Sequence, residues 1–150
     1  MKIRVLIVAL CVTIANVAMG KSLIYEKFAK TQGMEAVHIP RLMLLLSGNS
    51  NLTKIGDEDG ISGSIHELYV LTAETEETQK MLVDEMKNLQ KSTKYEEIIT
   101  VKDKGDNVAI YAKKKGDTIR ELIICTQDNE DHEVVIVHIT GKMKIDASKF

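Results

Sequence analysis

The chain has 150 residues and a net charge of -2; 28% of residues are charged, 44% hydrophobic and 4% aromatic, with one proline and no tryptophan. That is the composition of one globular domain, which excludes a collagen, a disordered tail and a multi-domain enzyme. There is no basic field to attract nucleic acid.

Residues 1–20 read as a removable export signal. Lys2 and Arg4 form a positive start, and Val5 to Met19 is an apolar run broken only by Thr13 and Asn16. That run is too short to cross about 30 Å of hydrocarbon comfortably. Ala18 and Gly20 place small residues where a signal peptidase needs them for a cut before Lys21. Cys11 follows Leu10 inside the apolar run, which is not the placement lipidation requires. The expectation is a mature chain 21–150, soluble, periplasmic or otherwise extracytoplasmic, not a lipoprotein, and without an integral membrane segment. Taking 20 residues from 150 leaves 130, and losing Lys2 and Arg4 moves the charge from -2 to -4. Cys125 is then the only cysteine, so no internal disulfide forms and stability rests on core burial. It lies in the run Leu122-Ile123-Ile124-Cys125 and reads as a small buried hydrophobe, not a nucleophile.

Ser22 precedes Leu23, Ile24, Tyr25, Phe28 and Ala29, whose spacing predicts a short amphipathic helix capped by Ser22 and stopped at Gly33. Met34 to Ile39 has strand character. Pro40 fixes φ for a helix over Arg41–Leu46, apolar nearly all round and therefore expected to be covered on more than one side, with the first helix as cover. Residues 47–64, rich in Gly, Ser, Asn and Asp, read as a loop. His66 to Thr72 alternates with apolar residues on both faces, as a doubly buried strand does. Thr75 to Lys91 is a helix with acidic residues at its start and Leu82, Met86 and Leu89 as its inner stripe.

From Tyr95 onward, turn clusters at 104–107, 115–117 and 128–131 separate four strands, near Glu96–Lys102, Val108–Lys113, Ile119–Thr126 and Glu133–Thr140, with a short tail from Lys142. The expected architecture is a two-layer α+β domain: a largely antiparallel sheet ending in a four-stranded meander, helices packed on one face, and crossovers that permit parallel neighbours among the first strands.

Tyr25-Glu26-Lys27-Phe28, Val37-His38-Ile39-Pro40-Arg41-Leu42-Met43, Leu68-Tyr69-Val70-Leu71-Thr72, Tyr95-Glu96-Glu97-Ile98 and Val101-Lys102-Asp103-Lys104-Gly105 form an ordered series. It continues with Ile110-Tyr111-Ala112-Lys113-Lys114-Lys115-Gly116, Ile119-Arg120-Glu121-Leu122 and Thr140-Gly141. Over nearly all of 23–146 the series resembles a family of small exported proteins of unknown function from Bacteroidetes-type Gram-negative bacteria, each with a signal peptide and one domain of this size. The resemblance implies an envelope location and an accessory role there. It supplies no catalytic residues.

The four histidines, His38, His66, His132 and His138, do not announce a metal site. His132 and His138 share strand parity, yet six residues at 3.3 Å each hold them about 20 Å apart; solvated strand-end histidines are expected. Asp57-Glu58-Asp59-Gly60 fails as an EF-hand, because aligning Gly60 to its invariant glycine puts Ile55 and His66 where acidic ligands belong. Lys113-Lys114-Lys115 reads as a solvated edge, and Asn51-Leu52-Thr53 as a glycosylation sequon relevant only in a eukaryotic host. No nucleophile elbow, phosphate loop or dinucleotide fingerprint is present, and no cofactor is expected.

Strand alternation carries the functional reading. Val135, Val137 and Ile139 point opposite to Val134 and Ile136, while Ile119, Ile123 and Cys125 oppose Leu122 and Ile124. With one face against the helices, the other is expected to present Leu122, Ile124, Val134 and Ile136 as an interaction surface, unless the first helix or the tail covers it. The sequence thus favours a non-catalytic exported domain that binds another envelope protein or a second copy of itself, with no nucleic-acid partner. Two alternatives remain: a carrier with a small apolar ligand between helix Arg41–Leu46 and the sheet, and a hydrolase-type enzyme in which a histidine meets Asp, Glu or Cys125 in a pocket.

Overall fold

The computed structural model describes residues 22–46, 54–55 and 61–145. The export signal, the sequon and the Asp57–Gly60 turn lie outside the described residues. The elements run α1 (Leu23–Phe28), β1 (Met34–Ile39), α2 (Arg41–Leu46), β2 (Lys54–Ile55), β3 (Ile61–Ala73), α3 (Glu76–Lys91), β4 (Glu96–Asp103), β5 (Asp106–Lys115), β6 (Thr118–Gln127) and β7 (Val134–Ile145).

One antiparallel sheet dominates, in the order β1-β3-β7-β6-β5-β4, with β2 also on β3. No parallel pair occurs among the described strands. The crossovers that would permit one instead return each chain segment beside a strand running the other way. β3 begins within the stretch read as loop, and β7 continues through the stretch read as tail. These two extensions pair with each other, Ser62 opposite Lys144 and Ser64 opposite Lys142. Glycine makes the pairing feasible. A Cβ on Gly141 would sit 2.2 Å from the Ser64 carbonyl oxygen, and one on Gly63, at φ +140, would sit 2.1 Å from that of Lys142. Turn-forming residues therefore serve here as close-approach positions within strands.

Local chemistry fixes the long helix. The Thr75 hydroxyl accepts from the Thr78 amide and the Thr78 hydroxyl accepts from the Thr75 amide, a reciprocal capping box. The Thr78 hydroxyl also donates to the Gly33 carbonyl at 2.8 Å, tying the start of α3 to the turn before β1. The principal core joins Ile24 and Phe28 of α1 and Leu82 and Leu89 of α3 to Leu71, Tyr111, Ile123, Cys125, Val134 and Ile136 of the sheet. We call the sheet face that carries these residues inner. A smaller cluster on the outer face contains Ala112, Ile119 and Met143, with Ile98, Leu122 and Ile139 against it.

α2 departs from its expected burial, since Leu42 and Met43 are 65% and 56% exposed. α1 does not cover them, because its buried residues Ile24 and Phe28 face the principal core instead.

The four residues expected to form one outer patch do not share a face. Register pairs Leu122 with Ile139 and Ile124 with Val137, whereas Cys125 pairs with Ile136 and Gln127 with Val134. Val134 and Ile136 are therefore core residues, 3% and 1% exposed, while Leu122 and Ile124 are half-buried on the outer face. The bulge between Ile119 and Glu121 adds to the mismatch: it puts Ile119 in the outer cluster with Ala112 and Met143, away from Ile123 and Cys125.

Candidate functional site

At one end of the inner face the aliphatic core gives way to polar side chains. Register sets His38, Tyr69 and His138 side by side on β1, β3 and β7. The His38 and Tyr69 rings stack at 4.3 Å, and Tyr25 of α1 lies 5.1 Å from Tyr69.

His138 is the centre of this end. It is 3% exposed, not a solvated strand-end histidine, and its two ring nitrogens contact the Ser22 hydroxyl at 2.6 Å and a Glu121 carboxylate oxygen at 2.8 Å. A carboxylate only accepts, so Nε2 donates to Glu121; in the neutral ring Nδ1 then accepts from the Ser22 hydroxyl. The Ser22 oxygen in turn accepts from the Tyr25 amide at 3.1 Å, capping α1. Glu121 also receives the Tyr95 hydroxyl at 3.3 Å and the Lys113 ammonium at 3.3 Å. The His138 hydrogen bond, with the positive charge of Lys113, outweighs burial and holds the Glu121 carboxyl down to about 2. Burial and the neighbouring Glu121 charge raise the Tyr95 phenol, and burial and its hydrogen bond to Glu67 raise that of Tyr69.

A serine, a histidine and a glutamate in line invite comparison with a hydrolytic triad. Their geometry is that of a strut. Ser22 has no exposed surface and its oxygen already serves the helix cap, so it has no approach for an electrophile. The chain of bonds fastens the start of α1 to β7 and β6.

Beside this strut opens a cleft of about 800 Å³. Its floor includes Glu67, Glu121 and His138 of the inner face. Its lining also carries the apolar Leu23, Ile24, Leu89 and Tyr95, and it brings Arg41, His66 and Arg120 together. The cleft is mixed in polarity, unlike the apolar cavity expected of a carrier. Burial, followed by the charges of Arg41, Lys142 and Arg120, lowers the His66 imidazole below its ordinary value. His132 lies elsewhere, exposed with φ +53 in the turn before β7. Among the described residues no three His, Cys, Asp or Glu side chains gather to hold a metal ion, and no helix is long and apolar enough to cross a membrane.

Cys125 lies in the principal core, 2% exposed, and burial pushes its thiol up to about 12. A thiol reagent at pH 8 is expected to leave it unmodified in the native protein and to label it fully in denaturant. Rapid native labelling, read by mass spectrometry, would place it outside the core.

The outer face is of a different kind. Register aligns Val37, Val70, Val137, Ile124, Ile110 and Ile99 into one aliphatic row that crosses six strands. Val37 and Ile99 at its two ends are 40% and 47% exposed, and the middle four are half-buried. In the next row Val101 and Val108 are exposed too.

A wide antiparallel sheet with a few helices, aliphatic on its outer face and carrying a cleft of mixed polarity on its inner one, defines an α+β domain. The family comparison agrees in extent: a family described as a domain of unknown function, DUF4252, matches residues 25–148, and the chain belongs to that family. No curated protein and no solved structure matches the chain.

Proposed function

We propose that this is an exported, non-catalytic binding domain of the bacterial envelope, folded as one unit over 21–150, and that it acts by docking its outer sheet face on a second copy of itself. The observation that carries this is the unbroken aliphatic row from Val37 to Ile99. The basic, apolar and small-residue sequence of 1–20 supports export. The commitment of Ser22 and His138 to each other supports a role without catalysis.

A second copy suits the face on geometric grounds. Six strands at about 4.8 Å spacing and three side-chain rows cover roughly 500 Å². Two such faces bury about 1,000 Å², the least area a specific interface needs. Stacked sheets pack about 10 Å apart with aligned strands, and a two-fold axis lays the row upon itself, apolar against apolar.

Sedimentation of the purified protein between about 5 and 200 μM tests this. A monomer–dimer equilibrium is expected, abolished by Ile124→Glu with Val137→Glu and unaffected by Leu42→Ala. A wild-type protein that stays monomeric throughout, or a double variant that folds and still dimerises, overturns it. A monomer whose outer face captures a different envelope protein overturns the second-copy occupant as well.

A further inference from the structure

We propose that the inner-face cleft binds a small oxyanion, a carboxylate or a phosphate, carried on a short apolar chain. The site lies on the opposite side of the sheet from the docking face and does not depend on it.

The charges of the cleft are unequally satisfied. Each carboxylate in its lining is engaged: Glu67 with His38 at 3.5 Å and the Tyr69 hydroxyl, Glu85 with Lys27 at 2.8 Å, and Glu121 with His138, Lys113 and Tyr95. Of the lysines and arginines in that lining, Lys113 alone is so engaged, with Glu121. Among the described residues no carboxylate lies within ion-pair distance of Arg41, Lys94 or Arg120, all of which line the cleft.

Arg120 matters most, because its side chain is half-buried. A guanidinium partly withdrawn from water without a counter-charge gains more from an incoming anion than an exposed ammonium does. Its planar fork matches the paired oxygens of a carboxylate or phosphate. His66 stands in the same lining, within the field of Arg41, Lys142 and Arg120 and opposed only by Glu67. As a neutral ring it adds a hydrogen-bond donor there without adding to the repulsion between cations.

The apolar part of the lining explains the apolar chain. Leu23 is 71% exposed although Ile24 and Phe28 of the same helix are buried, and it lines the same cleft as Ile24, Leu89 and Tyr95. The volume of about 800 Å³ falls in the range of small-ligand clefts, about 300 to 1,000 Å³. A ligand with its head on Arg120 and its chain on Leu23 uses both the cationic and the apolar lining; a bare ion or an alkane uses one.

Calorimetric titration of protein purified after expression of the full chain tests this, with hexanoate, hexyl phosphate, inorganic phosphate and hexanol as probes. Saturable one-site binding of hexanoate or hexyl phosphate is expected, at least about tenfold tighter than phosphate or hexanol. Arg120→Gln should weaken it at least about tenfold, Arg41→Gln by less, and Lys87→Gln on the far side of α3 not at all. Circular dichroism checks that each variant folds, and Arg41→Gln reads the site if Arg120→Gln does not. Phosphatidylglycerol vesicles separate the sources of the head group: binding to vesicles but to neither free amphiphile overturns the small-ligand assignment. Hexanol binding as tightly as hexanoate and hexyl phosphate, or wild-type affinity in both arginine variants, overturns it too.

Discussion

Leu82→Ala is expected to lower the unfolding free energy by about 3 to 5 kcal/mol, the largest effect of any single substitution considered for this chain. Leu82 is the first member of the α3 stripe, has no exposed surface, and belongs to the cluster that holds Leu71, Ile123 and Ile136. Removing its branched end loses both the transfer free energy of the buried atoms and the contacts around the cavity that remains. Strand side chains anchored in a hydrogen-bonded ladder move little to fill it. Urea denaturation should show a lower midpoint with an unchanged slope. Leu42→Ala, on the exposed side of α2, should change stability by less than about 0.5 kcal/mol. A loss below about 1 kcal/mol for Leu82→Ala would mean that α3 is not seated on the sheet.

Where a segment has one apolar face, its place in the fold was legible from sequence. α3 pairs a capping threonine with a clean stripe at Leu82 and Leu89, and the structure starts and ends it at Glu76 and Lys91. Ser22 likewise caps the first helix as its residue type and position predict. β6 and β7 are the opposite case. Ile and Val occupy both faces of each strand, so alternation separates the two sets without saying which set of one strand meets which set of the other. Only register decides that, and a single bulged residue near Ile119 reverses the face of what precedes it. Alternation alone therefore groups Val134 and Ile136 with Leu122 and Ile124, whereas the register of β6 on β7 sets the two pairs on opposite faces.

The cleft and its strut were less legible because their parts are distant in sequence. His138 and Ser22 are separated by 116 positions, and His138 and Glu121 by 17 across a strand pair. One signal did exist. His138 shares parity with Val134 and Ile136, and a histidine on the buried face of an aliphatic strand requires a partner. Glu121, on the same face as Ile123, repeats that signal on the neighbouring strand. The positive part of the lining left no such trace, since Arg41 begins α2 and Arg120 lies in β6, and the two converge only in the folded chain.

His138→Ala should cost about 2 to 3 kcal/mol and alter the acid response of the protein. Removing the ring leaves the Ser22 hydroxyl without its strand partner and deprives Glu121 of its shortest hydrogen bond, while Lys113 and Tyr95 still serve the carboxylate; the cost therefore falls below that of breaking a fully buried pair. The pH effect follows from linkage. Glu121 binds its proton less readily when folded, at about 2, than at its ordinary value of 4.5. Its contribution is therefore present above about 4.5 and is lost as the pH falls toward 2. The hydrogen bond from His138 is the largest cause of that depression, so His138→Ala should flatten the stability profile in this window. Glu121→Gln should flatten it too while keeping an oxygen that accepts from Nε2. Urea midpoints at pH 2.5, 3.5, 4.5 and 7 distinguish these outcomes, and parallel profiles for all three proteins would show that the strut does not govern the titration. The two variants should also separate at the cleft. With the α1 cap loosened, Leu23 and Ile24 lose their fixed position and His138→Ala should bind hexyl phosphate more weakly, whereas Glu121→Gln keeps α1 fastened and removes one negative charge from the cleft floor, so its affinity should be equal to wild type or higher.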